Sequence, residues 1–165
     1  MKIRPKEINE NIFKLIGDDW MLITAGNKKE ANTMTASFGG FGIFCFKDVA
    51  HIYVRPERHT FGFLEKNETF SLSFFDPTFK DKLAYCGKVS GKDENKIAKC
   101  GFSTLYDENE TPYFKEAKIT VICKKMYSQD IEKNCFNNIE AYNKTYSSGG
   151  IHRMYIGEII EVIQN

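Results

Sequence analysis

The sequence predicts a mainly β chain with short helices, an α+β barrel with attached helices, and three observations lead there. Fourteen Phe and eight Tyr in 165 residues favour strands or an aromatic-lined pocket. Six segments carry the β-branched and aromatic character of strands. The helical stretches between them are short and lack βαβ regularity. Without a repeat or a linker-like stretch, residues 1–165 read as one domain.

In chain order, Asn9 to Ile16 has apolar residues at Ile12, Phe13, Leu15 and Ile16, the spacing of a short amphipathic helix. "WMLITAGNKKEANTMTASF" reads as two strands around a polar turn at Gly26–Lys29. "VAHIYVR" (Val49–Arg55) is a third strand, ended by Pro56, and a helix opens at Glu57. "TFSLSFF" (Thr69–Phe75) alternates small polar and large apolar residues, as a half-buried strand does. Asp76-Pro77 caps a helix over roughly Thr78 to Ala84, and "YCGKVSGKDENK" follows as a loop. A short helix, "ENKIAKCG", stops at Gly101. Ala117–Tyr127 and Arg153–Ile163 complete the strands.

Composition excludes several functions. A net charge of +1 gives no electrostatic case for nucleic acid or a membrane surface. There is neither a secretory h-region nor a bilayer-length apolar run, so a cytoplasmic location is expected. Five scattered cysteines without a CxxC pair argue against a disulfide framework or zinc knuckle. The three histidines lack metal-ligand spacing, so no metal is expected. "GGFG" is not a dinucleotide fingerprint, because Cys45 stands where the third glycine belongs. "CGKVSGK" is not a phosphate loop, because Cys86 and Asp93 occupy the required Gly and Ser/Thr positions. No nucleophile elbow surrounds any Ser or Cys.

What remains is "NTMTASFGGFGIFCFKDVAHIYVRPERHT", Asn32 to Thr60. Hydroxyls and amides at Thr33–Ser37, with Arg58 and Thr60 at a helix start, suit a dianionic phosphate. They suit equally a strand, a tight loop and a solvated helix start. Asp93 fits a helix N-cap. Cys86 has no neighbouring thiol in sequence and reads as structural.

"NTMTASFGGFG", "VRPERHTFGFLEKNETFSLSFF", "YCGKVSGKDENK" and "HRMYIGEI" resemble, in this order, the flavin reductase-like family with the FMN-binding split β-barrel, closest to its flavoredoxin-type branch. The resemblance implies a homodimer holding FMN near the subunit interface. It implies that Thr33, Met34, Thr35, Ala36 and Ser37 line the flavin ring and ribityl chain. Arg55, Arg58, His59 and Thr60 would surround the ribityl and phosphate groups. Ser71, Ser73 and Phe74, and the loop residues Ser90, Gly91 and Asp93, would face the cofactor. His152 matches a histidine that orients nicotinamide or flavin, and a strand-end hydrogen bond accounts for it equally well. The implied activity is an NAD(P)H:flavin oxidoreductase, with NADH or NADPH as a transient co-substrate and free flavin or a redox partner protein as acceptor. The alternative is a flavoredoxin-like electron-transfer or flavin-carrier protein with little direct NAD(P)H activity. A barrel for another ligand, such as haem, is a third reading.

Overall fold

The computed structural model describes residues 1–165. Its strands are β1 (Lys2–Ile3), β2 (Met21–Gly26), β3 (Ala31–Ala36), β4 (Gly39–Phe44), β5 (Lys47–Val54), β6 (Thr69–Phe74), β7 (Thr104–Tyr106), β8 (Pro112–Phe114), β9 (Ile119–Asp130) and β10 (Arg153–Gln164). Helices α1 (His59–Lys66), α2 (Lys80–Lys88), α3 (Lys96–Lys99) and α4 (Ile139–Tyr146) lie between them. Seven strands run antiparallel in the order β3-β2-β6-β9-β10-β5-β4, β1 adds to β10, and β7–β8 form a separate hairpin.

The sheet rolls into a barrel because its strands share one core. Nineteen buried residues, among them Ile23, Ile52, Phe70, Leu72, Val121 and Tyr155, form a single cluster. Curvature brings distant strands together: Phe41 of β4 meets Phe74 of β6 edge-on at 6.0 Å between centroids. Strands β3 and β4 are joined only by Ser37 and Phe38, yet pair with different partners, so the barrel is split there. A second cluster, including Leu22, Phe75, Leu83, Cys86, Phe102 and Phe114, fills the space between the sheet, α2, α3 and the β7–β8 hairpin.

The two strands around Gly26–Lys29 form as expected, as do the strands at Val49, Thr69, Ala117 and Arg153, with shifted ends. The expected N-terminal helix forms later and shorter, from Ile12, and becomes a wide turn over Lys14–Asp18, which buries Leu15 and Ile16 while Phe13 stays exposed. The helix after Pro56 starts at His59, because Arg58 N–H bonds the Arg55 carbonyl at 3.0 Å and closes a turn first. Asp76 caps one 3-10 turn through Thr78 N–H, and α2 then runs on to Lys88, through residues expected in a loop. Leu83 and Cys86, three apart and both buried, give that extension its apolar stripe. The cap of α3 is Asn95, accepting from Ala98 N–H at 3.1 Å, and not Asp93.

Strands β1, β4, β7 and β8 and helix α4 were not anticipated. In β4 the glycines are needed for space: a Cβ on Gly40 would lie 2.6 Å from the His51 ring across the β4–β5 ladder. The hairpin tip, Cys45 and Phe46, has φ of 49° and 61°, the left-handed pair of a type I′ turn without the usual Asn-Gly.

At the β9–β10 bulge, a Cβ on Gly157 would sit 2.8 Å from Cys123 Cβ and 2.9 Å from the Phe70 ring. Overpacking of this kind costs about 1–3 kcal/mol. Gly157→Ala is therefore expected to lower the urea midpoint by that equivalent with an unchanged m-value; an unaltered midpoint would show that the core yields at this point.

Candidate functional site

Two adjoining cavities open where the barrel is split. The larger, about 210 Å³, is lined by Met34, Thr35, Ala36, Ser37, Phe38, Tyr53, Arg55, Arg58 and His152. The smaller, about 140 Å³, shares Met34 and Arg58 and adds the start of α1 (His59, Thr60) and the segment after α2. Strand β3 forms the wall common to both.

The smaller cavity is built around cations. Arg58, the N-cap of α1, donates from Nη1 to the Gly87 carbonyl at 3.1 Å, while its Nη2 is buried without a partner. Lys96 is 3% exposed and donates from Nζ to the carbonyls of Cys86 at 2.7 Å and Val89 at 2.9 Å. These carbonyls belong to the C-terminal end of α2, where unpaired backbone oxygens and the helix dipole favour positive charge. No carboxylate pairs with either side chain. Burial and the neighbouring Arg58 guanidinium push the Lys96 ammonium down to about 8. Burial, then Arg55, likewise lowers Arg58.

The walls are held by side chain–backbone bonds. The Thr35 hydroxyl donates to the Leu83 carbonyl and fixes α2 against β3. A Cβ on Gly87 would come within 3.2 Å of Thr35 Cβ, so α2 lies close to the strand. Thr60 is fully buried, and its Oγ1 accepts from Asn32 Nδ2 at 2.8 Å, leaving its own proton to donate. Gly91 seats against Asn32, whose Oδ1 is 2.0 Å from where a Cβ would be. The Tyr85 hydroxyl bonds the Glu94 carboxylate and ties the intervening loop to α2.

In the larger cavity, Arg55 is already committed: it donates to the carbonyls of Gly149 at 3.0 Å and Thr145 at 2.9 Å. It thus pins the end of α4 and serves as a strut. His152 is buried, and its Nδ1 lies 2.9 Å from the Tyr146 hydroxyl. Burial, then the Arg55 charge, lowers the imidazole below its ordinary value.

Of the expected residues, the structure gathers Met34, Thr35, Ala36, Ser37, Arg55, Arg58 and His152 at the larger cavity, and His59, Thr60, Ser90 and Gly91 at the smaller. Others are elsewhere. Thr33 is buried with its hydroxyl against Thr24 at 2.9 Å and the Ile23 carbonyl at 3.2 Å. Ser71 donates to the Pro112 carbonyl of β8, Ser73 is buried unpaired, and Phe74 fills the main core. These three do not reach the cavities because both faces of β6 are covered, one by the core and one by the β8 hairpin and the second cluster. Asp93 is exposed, on the rim of a neighbouring polar groove.

Sequence reasoning missed Lys96, Phe38, Tyr53 and Tyr146. Tyr53 was within reach, because the period of two along β5 puts it on the face of Arg55. Cys86 packs in the second cluster as a structural residue would, 3.6 Å from Cys100 Sγ, and burial pushes its thiol up to about 12.

The model of the flavin reductase like domain matches residues 15–165. A search of curated proteins finds no match. Among solved structures, a flavoredoxin from Methanosarcina acetivorans is similar at 22% identity with a TM-score of 0.70, covering 100% of this chain and 75% of that one. An FMN-binding protein from Thermus thermophilus with bound p-hydroxybenzaldehyde is similar at 16% identity and TM-score 0.70, covering 100% of this chain and 82% of that one. An NADH:FAD oxidoreductase of Streptomyces globisporus, in complex with NAD and FAD fragments, is similar at 16% identity and TM-score 0.63, with 89% and 74% covered. At these identities the likeness shows the fold, and the family match spans nearly the whole chain. With its split antiparallel barrel, the chain belongs to the flavin reductase-like domain family.

Proposed function

We propose that the chain is an FMN-binding oxidoreductase that takes hydride from NADH or NADPH and passes electrons to free flavin or a protein acceptor. One observation carries the cofactor assignment: the buried Lys96 and the half-buried Arg58 line one small cavity, Arg58 Nη2 has no partner, and the one carboxylate of that lining, Glu57, pairs with neither. A buried charge is stable only when compensated, and a phosphate monoester supplies both the charge and the acceptor oxygens. The family membership and the FMN-binding neighbours support the same reading.

In this reading Arg58, Lys96, the Thr60 hydroxyl and Ser90 hold the phosphate at the positive end of α1. Met34 to Phe38, Tyr53 and His152 bound the space for the ring, and His152 orients nicotinamide or flavin. When bound, FMN supplies the two-electron chemistry. The protein's own work is to fix the ring against strand β3, exclude water with Met34 and Phe38, and balance the phosphate charge. A second reading, an electron carrier with little nicotinamide chemistry, is favoured by the two flavoredoxins among the neighbours. Anaerobic addition of NADH or NADPH separates the two, since only a reductase loses its oxidised-flavin absorbance.

A homodimer belongs to the same proposal. Ile43, Phe44 and Phe46 at the tip of the β4–β5 hairpin and Met126 and Tyr127 of β9 are exposed, and Phe44 and Tyr127 lie 6.4 Å apart, so the tip and β9 present apolar surface side by side. A two-fold axis there would bury it against itself. Light scattering at micromolar concentration is expected to give twice the chain mass, and Phe46→Asp with Ile43→Asp to give one; a wild-type monomer that retains flavin removes the dimer from this account.

Arg58→Ala is expected to weaken FMN binding about 10- to 150-fold, the equivalent of the ~1.5–3 kcal/mol of a hydrogen bond to a charged group. Arg58→Lys recovers only part of this, because an ammonium lacks the guanidinium fork. Riboflavin affinity should be unmoved in both. Equal losses for FMN and riboflavin would mean that the helix start has collapsed and that no phosphate contact was lost.

Lys96 makes the free protein pH-dependent with a definite sign. Its folded pKa is depressed to about 8 from 10.5, so the folded state is penalised below about 8 and the penalty is relieved as pH rises toward 10.5. Relative to Lys96→Met, the wild type is therefore expected to gain stability across that window. FMN affinity should fall over the same window, because the ligand requires the ammonium. Parallel urea midpoints for the two proteins from pH 7 to 10 would contradict both expectations.

A further inference from the structure

We propose that Tyr146 is a positioning residue for His152, fixing its neutral ring with the proton on Nε2, so that the larger cavity selects a ligand presenting an acceptor such as a carboxamide or ring carbonyl oxygen. This rests on reading that cavity as the flavin and nicotinamide site.

Tyr146 closes α4 and is 7% exposed; His152, six residues later, is 8% exposed and lines the cavity. The 2.9 Å contact between the Tyr146 hydroxyl and His152 Nδ1 is the one hydrogen bond of each side chain. Were Nδ1 the donor, the phenol proton would be left inside the protein with no acceptor. With the phenol as donor, both groups are satisfied. The remaining ring nitrogen, Nε2, has no protein partner and is not sealed from the cavity. The ring is held in place by aromatic contacts, with Tyr146 at 5.5 Å and Phe38 at 5.7 Å between centroids.

Neighbouring charge favours the same state. The Arg55 guanidinium lies 5.7 Å from the centre of the Tyr146 ring, in a cation–π position that makes the phenol a better donor. Burial, then Arg55, also disfavours a second proton on His152, with Glu57 acting in the opposite direction. Because Arg55 is anchored on Thr145 and Gly149, it holds α4, and with it Tyr146, in register with the cavity. The result is a neutral imidazole with a single outward donor, which rewards an acceptor atom and leaves an aliphatic or donor-only ligand without a partner.

The test uses the full chain with FMN added. In long-range ¹H–¹⁵N spectra, wild-type His152 is expected to show an unprotonated Nδ1 and a protonated Nε2. Tyr146→Phe should yield mixed tautomers. An Nδ1–H tautomer in the wild type, or an unchanged tautomer in Tyr146→Phe, overturns the proposal. In steady state, Tyr146→Phe is expected to raise KM for the nicotinamide about 2- to 13-fold, the span of one neutral hydrogen bond, with FMN affinity unmoved. His152→Gln places an amide donor near Nε2, and in that background Tyr146→Phe should have no further effect. A full additional loss there would assign Tyr146 a purely structural role. If neither nucleotide reduces the flavin, the reductase reading falls, and the tautomer still decides this one.

Discussion

Burial of positive charge at the end of helix α2 is the constraint on which the site depends. The carbonyls of Cys86, Gly87 and Val89 have no helical partner, and Lys96 and Arg58 satisfy them. The helix end offsets part of the cations' desolvation and leaves a net positive interior facing the cavity. Everything nearby serves to keep that arrangement dry and close: Thr35 bonded to the Leu83 carbonyl, Gly87 against Thr35, Gly91 against Asn32. Because Arg58 is tethered through Nη1 to the Gly87 carbonyl, its guanidinium is already ordered at the cavity wall.

Much of this fold could be read from the chain, and the failures have physical causes. The period of two in "TFSLSFF" identified β6, but periodicity cannot tell a solvated face from one covered by another element. Ser71 and Ser73 are covered for that reason, Ser71 by β8, and neither lines the two cavities. Strand β4 was hidden by its glycines, which signal turns locally but here make room for His51. The end of α2 was hidden by Gly87 and Gly91, two close approaches that look like loop chemistry.

At the site, the residue types were legible and their directions were not. Arg55 and Arg58 stand three apart in one motif, yet the turn across Pro56 sends them to different tasks, a strut for α4 and a buried donor. Lys96, in "KDENK", looks like one more solvated lysine, and only tertiary packing buries it beneath α2. Tyr146 lies in a polar stretch whose helix becomes visible only once Arg55 is seen to hold its end. The cluster around Thr60 and Arg58 was found because helix starts and guanidinium groups carry a local signature; buried lysines and distant tyrosines carry none.

Strand β10 is central in space and follows every other strand in the chain. It lies between β9 and β5, so until it pairs, the β4–β5 hairpin has no hydrogen bonds to the rest of the sheet. From the end of β5 at Val54 to the start of β10 at Arg153, translation at ~5–20 residues per second takes on the order of 5–20 seconds. During that interval the nascent chain holds two unjoined half-sheets with open edges, and neither cavity wall has its partner. Until β10 closes the sheet, those open edges can pair with other chains.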